Sequence, residues 1–157
     1  MKIQLLLSGK TRIPYIREGI EEYSRRLGHY ADFQIRELPE LKKSGTWPEK
    51  KVKGEEAKTI LKSIDPRDYV VLLDERGQQV DSLAFADLLE KQHYRTYHAM
   101  LFVIGGPYGF APEVYKRANF ELSLSKMTFS HQLVRLIFME QLYRAYTIIR
   151  GEPYHHG

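Results

Sequence analysis

Short apolar runs alternate with longer segments of helical periodicity along the sequence, and this alternation restricts the fold more than any other feature. Residues 2–7, 68–73 and 99–104 are mostly apolar runs of strand length, which are typical of buried β-strands. Between them, apolar residues recur at helical spacing, as in residues 14–27. Because strands separated by helices of about 10–15 residues form parallel sheets, the sequence predicts an α/β fold. We expect a mainly parallel sheet with helices on both faces.

The remaining segments continue this pattern towards the C-terminus. Strands are predicted at residues 33–38 and 120–124, and residues 39–47 form a loop. Further helices are predicted at residues 48–64, 111–118 and 130–149, the last with Ser130 as its cap. Another helix is predicted to begin at Ser82, which would be its capping residue. The last helix carries an apolar stripe that is wide for packing on one sheet face. One interpretation is that it also packs on a second subunit of a homodimer.

Length and composition are typical of a single globular domain. The 157 residues match the usual domain size of about 100–200 residues. There is no cysteine, which excludes disulfides, thiolate nucleophiles, iron–sulfur clusters and cysteine zinc sites. No apolar run approaches the roughly 20 residues of a membrane helix, and the N-terminus is more typical of a strand than of a signal peptide. The sequence therefore predicts a cytoplasmic protein with no membrane partner.

Positive charge is concentrated in two segments. The net charge is +4, and the excess of lysine and arginine lies in residues 41–62 and 111–157. This distribution is compatible with a nucleic-acid partner. A simpler interpretation is equally open, in which lysines of the first segment only solvate a loop and a helix start. These lysines are Lys42, Lys43, Lys50, Lys51 and Lys53.

Three predicted strand ends, at residues 72–77, 104–110 and 124–131, are candidates for a ligand site, because ligands of open parallel sheets bind at the carboxyl ends of strands. In the second, Gly105 and Gly106 can let a flat ligand approach the backbone, although a tight turn explains them equally well. Neither the dinucleotide fingerprint nor the phosphate-binding loop pattern is present.

Polar side chains at the other two strand ends can carry chemistry. Asp74 and Glu75 can accept a hydrogen bond from a ribose hydroxyl or orient a partner. The simpler interpretation is a solvated turn, and it suits Glu75 better than Asp74. His131 opens the last helix, where the helix dipole disfavours its protonated form, so it can act as a base or merely belong to the capping region.

The tail after residue 150 can contact RNA by stacking and phosphate binding, or it can fray. No spacing indicates a metal site.

The runs LLDERG, FVIGGPYGF and LSLSKMTFSHQLVRLIFMEQLYRAYTIIRGEPYHHG closely resemble the ribosomal large subunit methyltransferase H family of the SPOUT superfamily. The resemblance covers the whole chain. It implies an α/β fold with a C-terminal trefoil knot that binds S-adenosylmethionine, and a homodimer. It also implies methylation of N3 of a pseudouridine in helix 69 of 23S rRNA on the assembled ribosome.

The resemblance also implies which residues form the site. The cofactor would be bound by Leu73, Gly105, Gly106, Leu124, Ser125, Lys126, Met127, Thr128, Phe129 and Ser130. RNA contacts would come from the tail residues Tyr154 and His155, and Lys126, Arg135 and Arg144 can hold phosphates. For the two arginines, local or intersubunit pairing is an equally open interpretation. His131, His155 and His156 are the candidates for accepting a proton, and a methyl sulfonium needs no metal.

Two other functions stay open at this point. A non-catalytic ribosome-associated RNA-binding protein would use the same basic patches without a cofactor loop. A nucleotide-dependent oxidoreductase is disfavoured, because the fingerprint and the acidic residue that should follow it by about 20 positions are missing.

Overall fold

The computed structural model describes residues 2–41 and 44–157, and strands and helices alternate within them as predicted. The strands are β1 (Lys2–Ser8), β2 (Asp32–Leu38), β3 (Tyr69–Gln79), β4 (Ala99–Ile104) and β5 (Phe120–Ser123). The helices are α1 (Pro14–Leu27), α2 (Glu49–Lys62), α3 (Ser82–His93), α4 (Pro112–Arg117) and α5 (Leu133–Ile149). A 3₁₀ turn at Ser44–Thr46 lies in the predicted loop, and Lys42 and Lys43 lie outside the described residues.

The five strands form one sheet in the order β2-β1-β4-β3-β5, and every neighbouring pair is parallel. Successive side chains of a strand point to opposite faces, so each face has its own core. Phe102 of β4 packs towards α1, α3 and α5, with its ring centre 4.8 Å from that of Phe138. Val103 faces α2 and α4 beside Ile60 and Val114. The predicted fold class is confirmed, and the knot stays a prediction.

Helix α5 contacts both α1 and α3. Phe138, Met139 and Leu142 are fully buried, and a Cβ on Gly19 of α1 would lie 2.6 Å from Cδ1 of Leu136. Much of the wide apolar stripe is therefore used within the chain, and the second subunit stays a prediction. No described helix, α5 included, has the length and apolarity to cross a membrane.

Strand β3 is longer than predicted. It continues past the expected turn at residues 74–77 and pairs again with β5 after an irregularity between Leu73 and Gln78. Gly77 permits this pairing, because a Cβ there would lie 2.6 Å from the carbonyl oxygen of Glu121. The polar residues that follow Leu73 are therefore held in an extended strand.

Two predicted helix starts differ from the structure in detail. The cap of α3 is Asp81, whose side chain accepts a hydrogen bond from the Ala84 N–H at 2.8 Å, so the prediction of Ser82 as the cap is wrong. Helix α5 begins at Leu133. Ser130 nevertheless contributes to this start, because its Oγ accepts a hydrogen bond from the Leu133 N–H at 3.1 Å. Both side chains satisfy amides that have no partner inside the helix.

Candidate functional site

A cleft opens at the irregularity of β3 and at the carboxyl ends of β4 and β5, beside the start of α5. Its volume of about 780 Å³ lies within the range of about 300–1,000 Å³ that is typical of small-molecule sites. The predicted site residues that line it are Leu73, Gly105, Gly106, Leu124, Ser125, Met127, Thr128, Phe129, Ser130 and His131. The structure thus brings the three strand ends together. Lys126 is exposed and is not among the lining residues.

In the glycine loop, residues 105–110, contacts within the protein and the backbone conformation account for the glycines. A Cβ on Gly105 would lie 2.8 Å from Cε1 of Phe110, and one on Gly106 would lie 2.5 Å from Oε1 of Glu56. Real Cβ atoms do not approach other atoms so closely, so a larger residue at Gly105 must move the Phe110 ring, whereas at Gly106 the flexible end of the Glu56 side chain can give way. Gly109 has a φ of 79°, which confirms a turn into α4 that favours glycine.

The segment of residues 124–131 is held in place by its own short polar side chains. The Ser125 Oγ accepts a hydrogen bond from the Met127 N–H at 2.9 Å, and the Ser125 carbonyl accepts one from the Ser123 hydroxyl at 3.0 Å. The Thr128 hydroxyl donates to Glu75 at 2.7 Å. This last bond ties the segment to β3 across the cleft mouth. The simpler interpretation of Glu75 as part of a solvated turn is therefore incomplete, because Glu75 also binds Thr128.

Asp74 places a carboxylate in the cleft. One oxygen accepts a hydrogen bond from the Arg76 N–H at 2.9 Å, and the other accepts one from the Tyr115 hydroxyl. Burial, followed by this hydrogen bond, raises the pKa of Tyr115 to about 12. Tyr115 therefore stays protonated near neutral pH and remains a donor. The pair holds the carboxylate in a defined orientation at the irregularity of β3.

Sequence reasoning missed one wall of the cleft. Glu49 and Lys53 of α2 line it, as does Tyr115 of α4, whereas Phe110 belongs to the predicted segment of residues 104–110. Helix α2 is distant from the strand ends in sequence, so only the packing of α2 beside α4 brings it there. The periodicity of α2 predicts its buried face and gives no signal that one of its edges borders a ligand cleft.

His131 lies at the cleft rim in the turn that precedes α5. Partial burial lowers its pKa, and the positive charges of Arg135 and Arg12 lower it further. The imidazole is therefore neutral near pH 7. This agrees with the direction expected for a histidine at a helix start, although the larger causes here are burial and the arginines.

Arg135 is fully buried, which argues against its predicted contact with a phosphate. Its guanidinium donates hydrogen bonds to the carbonyls of Ser8 at 2.9 Å and Gly9 at 3.1 Å, and to the Thr11 hydroxyl at 2.9 Å. These acceptors lie at and just beyond the end of β1. Arg135 thus ties the start of α5 to the sheet, as the local-pairing interpretation expected.

The tail packs against the middle and the C-terminal half of α5. Tyr154 donates a hydrogen bond to Glu140 at 3.0 Å, and its ring lies 4.9 Å from the Arg144 guanidinium. Arg144 also lies 3.2 Å from Nδ1 of His155. His156 is exposed. The tail is therefore folded onto the helix and does not fray as the simpler interpretation expected.

Within one chain, the tail cluster of Arg144, Tyr154 and His155 does not line the cleft. Val134 lines the cleft, and the helix rises about 15 Å over the ten residues from there to Arg144. The structure therefore separates the predicted cofactor residues from most of the predicted RNA-binding residues.

Among the described residues, one group of two carboxylates and a histidine has its side-chain atoms close enough to one another to hold a metal ion. It consists of Asp65, Asp68 and His98, before β3 and before β4, at the sheet edge opposite the cleft. Asp65 is already bound by the Arg67 guanidinium through both oxygens, and Asp68 lies 3.0 Å from the His98 ring. These contacts explain the group as a structural hydrogen-bond cluster.

Comparisons with known proteins agree with this geometry. A family model described as "Predicted SPOUT methyltransferase" matches residues 1–155. A solved structure, of a probable methylase family protein from Haemophilus influenzae Rd KW20, superposes with a TM-score of 0.51 at 12% identity, over 96% of this chain and 66% of that one. This likeness shows the fold alone.

Two relatives are both named "Ribosomal RNA large subunit methyltransferase H". The protein from Parabacteroides distasonis is 49% identical over 99% of both chains. The protein from Cytophaga hutchinsonii is 47% identical over 99% of this chain and 100% of its own. The chain belongs to the ribosomal large subunit methyltransferase H family of SPOUT methyltransferases.

Proposed function

We propose that this chain transfers a methyl group from S-adenosylmethionine to N3 of a pseudouridine in helix 69 of 23S rRNA, on the assembled ribosome. The observation that carries the proposal is the match to a relative named ribosomal RNA large subunit methyltransferase H at 49% identity over 99% of both chains. The finer details of this proposal come from the family resemblance. They are the pseudouridine, its N3 atom and the ribosomal context.

The cleft fits S-adenosylmethionine, the methyl donor of this family. Leu73, Ile104, Leu124 and Phe129 give it apolar walls that suit an adenine ring. Asp74 keeps lone pairs beyond the two that already accept hydrogen bonds, and these can accept from ribose hydroxyls. When bound, this cofactor supplies a methyl group that is electrophilic because it is attached to a positively charged sulfur.

The target atom sets the task of the protein side chains. N3 of a pseudouridine carries a proton, so the site must orient N3 and receive that proton. His131 is the one predicted histidine that lines the cleft, and its lowered pKa keeps the ring able to accept a proton at pH 7. Within one chain, His131 is the acceptor that the geometry supports best. His155 and His156 would need a second subunit to reach the same place.

A homodimer, which the family resemblance implies, is also part of the proposal. Arg144, Tyr154 and His155 form a cluster of cationic and aromatic groups, which suits phosphate contacts and base stacking on RNA. Since this cluster lies about 15 Å along α5 from the cleft, it extends the RNA surface beyond the site of methyl transfer. Analytical ultracentrifugation of the purified chain measures the oligomeric state directly.

The decisive experiment is transfer of labelled methyl groups to ribosomes that lack the modification, with free large subunits and protein-free rRNA beside them. The modified nucleoside is identified by mass spectrometry. We expect N3-methylated pseudouridine, with the highest yield on intact ribosomes. Label on another nucleotide would contradict the target. RNA binding with neither cofactor binding nor label would favour the non-catalytic RNA-binding protein.

Deletion of residues 154–157 should leave cofactor affinity unchanged and lower methyl transfer by about a hundredfold, because a misplaced substrate reacts more slowly. Calorimetry measures the first quantity and a single-turnover assay the second. Tyr94→Ala is the control, because Tyr94 is 83% exposed on α3's C-terminal side and far from the tail in sequence. Full transfer by the truncated chain would show that the tail is not needed.

A further inference from the structure

A second cavity, of about 580 Å³, opens beyond the carboxyl ends of β1 and β2. The residues that line it follow these strands or lie near the start of α1, and they are Lys10, Thr11, Arg12, Arg17, Pro39 and Glu40. Three of the six carry a positive charge and one carries a negative charge. Neither basic segment of the sequence includes these residues, so the fold alone assembles this basic cavity.

Two of the cations in the basic cavity have no partner. Arg12 forms an ion pair with Glu40, and Glu37 of β2 accepts a hydrogen bond at 2.6 Å from the backbone of the segment that lines the cavity. Lys10 and Arg17 are exposed. Neither side chain makes an ion pair or a hydrogen bond with another residue in the described part of the chain. Lys10 and Arg17 are therefore available to an anionic ligand.

The backbone of residues 9–12 is fixed by side chains from the start of α5. Gln132 accepts a hydrogen bond from the Arg12 N–H at 2.8 Å and donates one to the Lys10 carbonyl at 3.1 Å. The buried guanidinium of Arg135 binds two further oxygens of the same segment. Because this backbone is already ordered, less entropy is lost when the segment binds a ligand.

The same contacts place the basic cavity next to the cleft. Gln132, whose side chain holds residues 10–12, directly follows His131, which lines the cleft. An RNA strand carries a phosphate on each side of every internal nucleotide. A strand whose target base enters the cleft can therefore bring a neighbouring phosphate to the basic cavity.

We propose that Lys10 and Arg17 bind backbone phosphates of the RNA strand beside the nucleotide that is methylated. This inference rests on the proposed function, since it assumes an RNA substrate at the cleft. It assigns to exposed cations the phosphate contacts that the buried Arg135 cannot make, while Arg135 supports the segment that carries Lys10. Phosphate contacts fix the register of a strand without reading its sequence. The basic cavity thus positions the strand, and the cleft receives the base.

A double variant, Lys10→Gln with Arg17→Gln, removes both charges. Filter binding should show about tenfold weaker affinity for protein-free 23S rRNA, with a weaker dependence on salt. The slope of the logarithm of affinity against the logarithm of salt concentration should become less steep by about 1.4–1.8, as expected for two lost phosphate contacts. Lys10→Arg with Arg17→Lys keeps both charges and should retain most of the affinity.

The matched control is Lys2→Gln with Arg95→Gln, which makes the same change in charge at the opposite edge of the sheet. Lys2 begins β1, Arg95 precedes β4, and both are exposed. This control should bind 23S rRNA as the wild type does. Calorimetry should show unchanged affinity for S-adenosylhomocysteine in every variant. In methyl transfer to ribosomes, loss of the Lys10 and Arg17 charges should raise KM for the ribosome more than it lowers kcat.

The outcomes are distinct. Wild-type affinity and salt slope without the Lys10 and Arg17 charges, or equal weakening in the control, would overturn the phosphate contacts. A raised KM for ribosomes with unchanged binding to protein-free rRNA would indicate a ribosomal protein as the partner, and it would also overturn them. So would a changed oligomeric state in ultracentrifugation, since the cavity would then be a subunit contact. A wild-type chain that binds rRNA through these two residues and transfers no methyl group would overturn the proposed function alone.

Discussion

Replacing Arg135 with leucine should lower the free energy of unfolding by about 3–5 kcal/mol, because it leaves several buried acceptors without a donor. The lost bonds are those to the Ser8 and Gly9 carbonyls and to the Thr11 hydroxyl. For a domain of this size each kcal/mol corresponds to about 2–4 °C in Tm, so we expect a decrease of at least about 6 °C. Urea unfolding and a thermal melt measure both quantities.

Arg17→Leu is the control for this prediction. Arg17 is an exposed residue of α1, and exposed substitutions usually change stability by about 0.5 kcal/mol or less. If Arg135→Leu left stability unchanged and weakened binding to ribosomal RNA, Arg135 would be a phosphate ligand after all. The burial of the Arg135 side chain argues instead for the loss of stability.

Arg135 also shows why the RNA-binding residues were harder to predict than the fold. An arginine on a helix has the same appearance in sequence whether it faces solvent or reaches the end of a distant strand. The partners of Arg135 are backbone and hydroxyl oxygens more than 120 positions away. No local pattern encodes them, whereas Arg144 on the same helix retains partial exposure beside the tail.

The strands were predictable because burial on both faces leaves a local signature. Ala99–Ile104 is buried at every residue, and an uninterrupted apolar run reveals such a strand. The continuation of β3 beyond Leu73 has no such signature, since polar residues with a glycine are typical of a turn. Its pairing depends on the close approach of Gly77 to Glu121, which is a contact between separate strands.

The cleft was predictable in part for a topological reason. Parallel strands deliver their carboxyl ends to one edge, so the strand ends after β3, β4 and β5 had to converge. The contribution of α2 did not follow from this rule, because Lys53 and Glu56 depend on how α2 packs beside the loop. The glycine loop lines the cleft, its binding of a ligand stays a prediction, and the space beside its glycines is filled by Phe110 and Glu56.

Gly105→Leu should weaken cofactor binding by about a hundredfold and cost about 1–3 kcal/mol of stability, the usual penalty for overpacking. A Cβ at this position would lie 2.8 Å from the Phe110 ring. The longer side chain must therefore displace Phe110 or enter the cleft. Displacing Phe110 would disturb its edge contact with Tyr115 at 5.8 Å, and with it the hydrogen bond to Asp74. Calorimetry with S-adenosylhomocysteine measures the loss.

Gly54→Leu is the matched control, because it makes the same change on α2 where a Cβ would meet nothing within 4 Å. Glycine is a poor helix former, so this control should gain up to about 1 kcal/mol of stability and bind the cofactor normally. A domain stable by about 5–15 kcal/mol tolerates the expected penalty at Gly105, so the variant stays folded and its affinity can be measured. Normal binding by Gly105→Leu would show that the cofactor lies elsewhere than against the glycine loop.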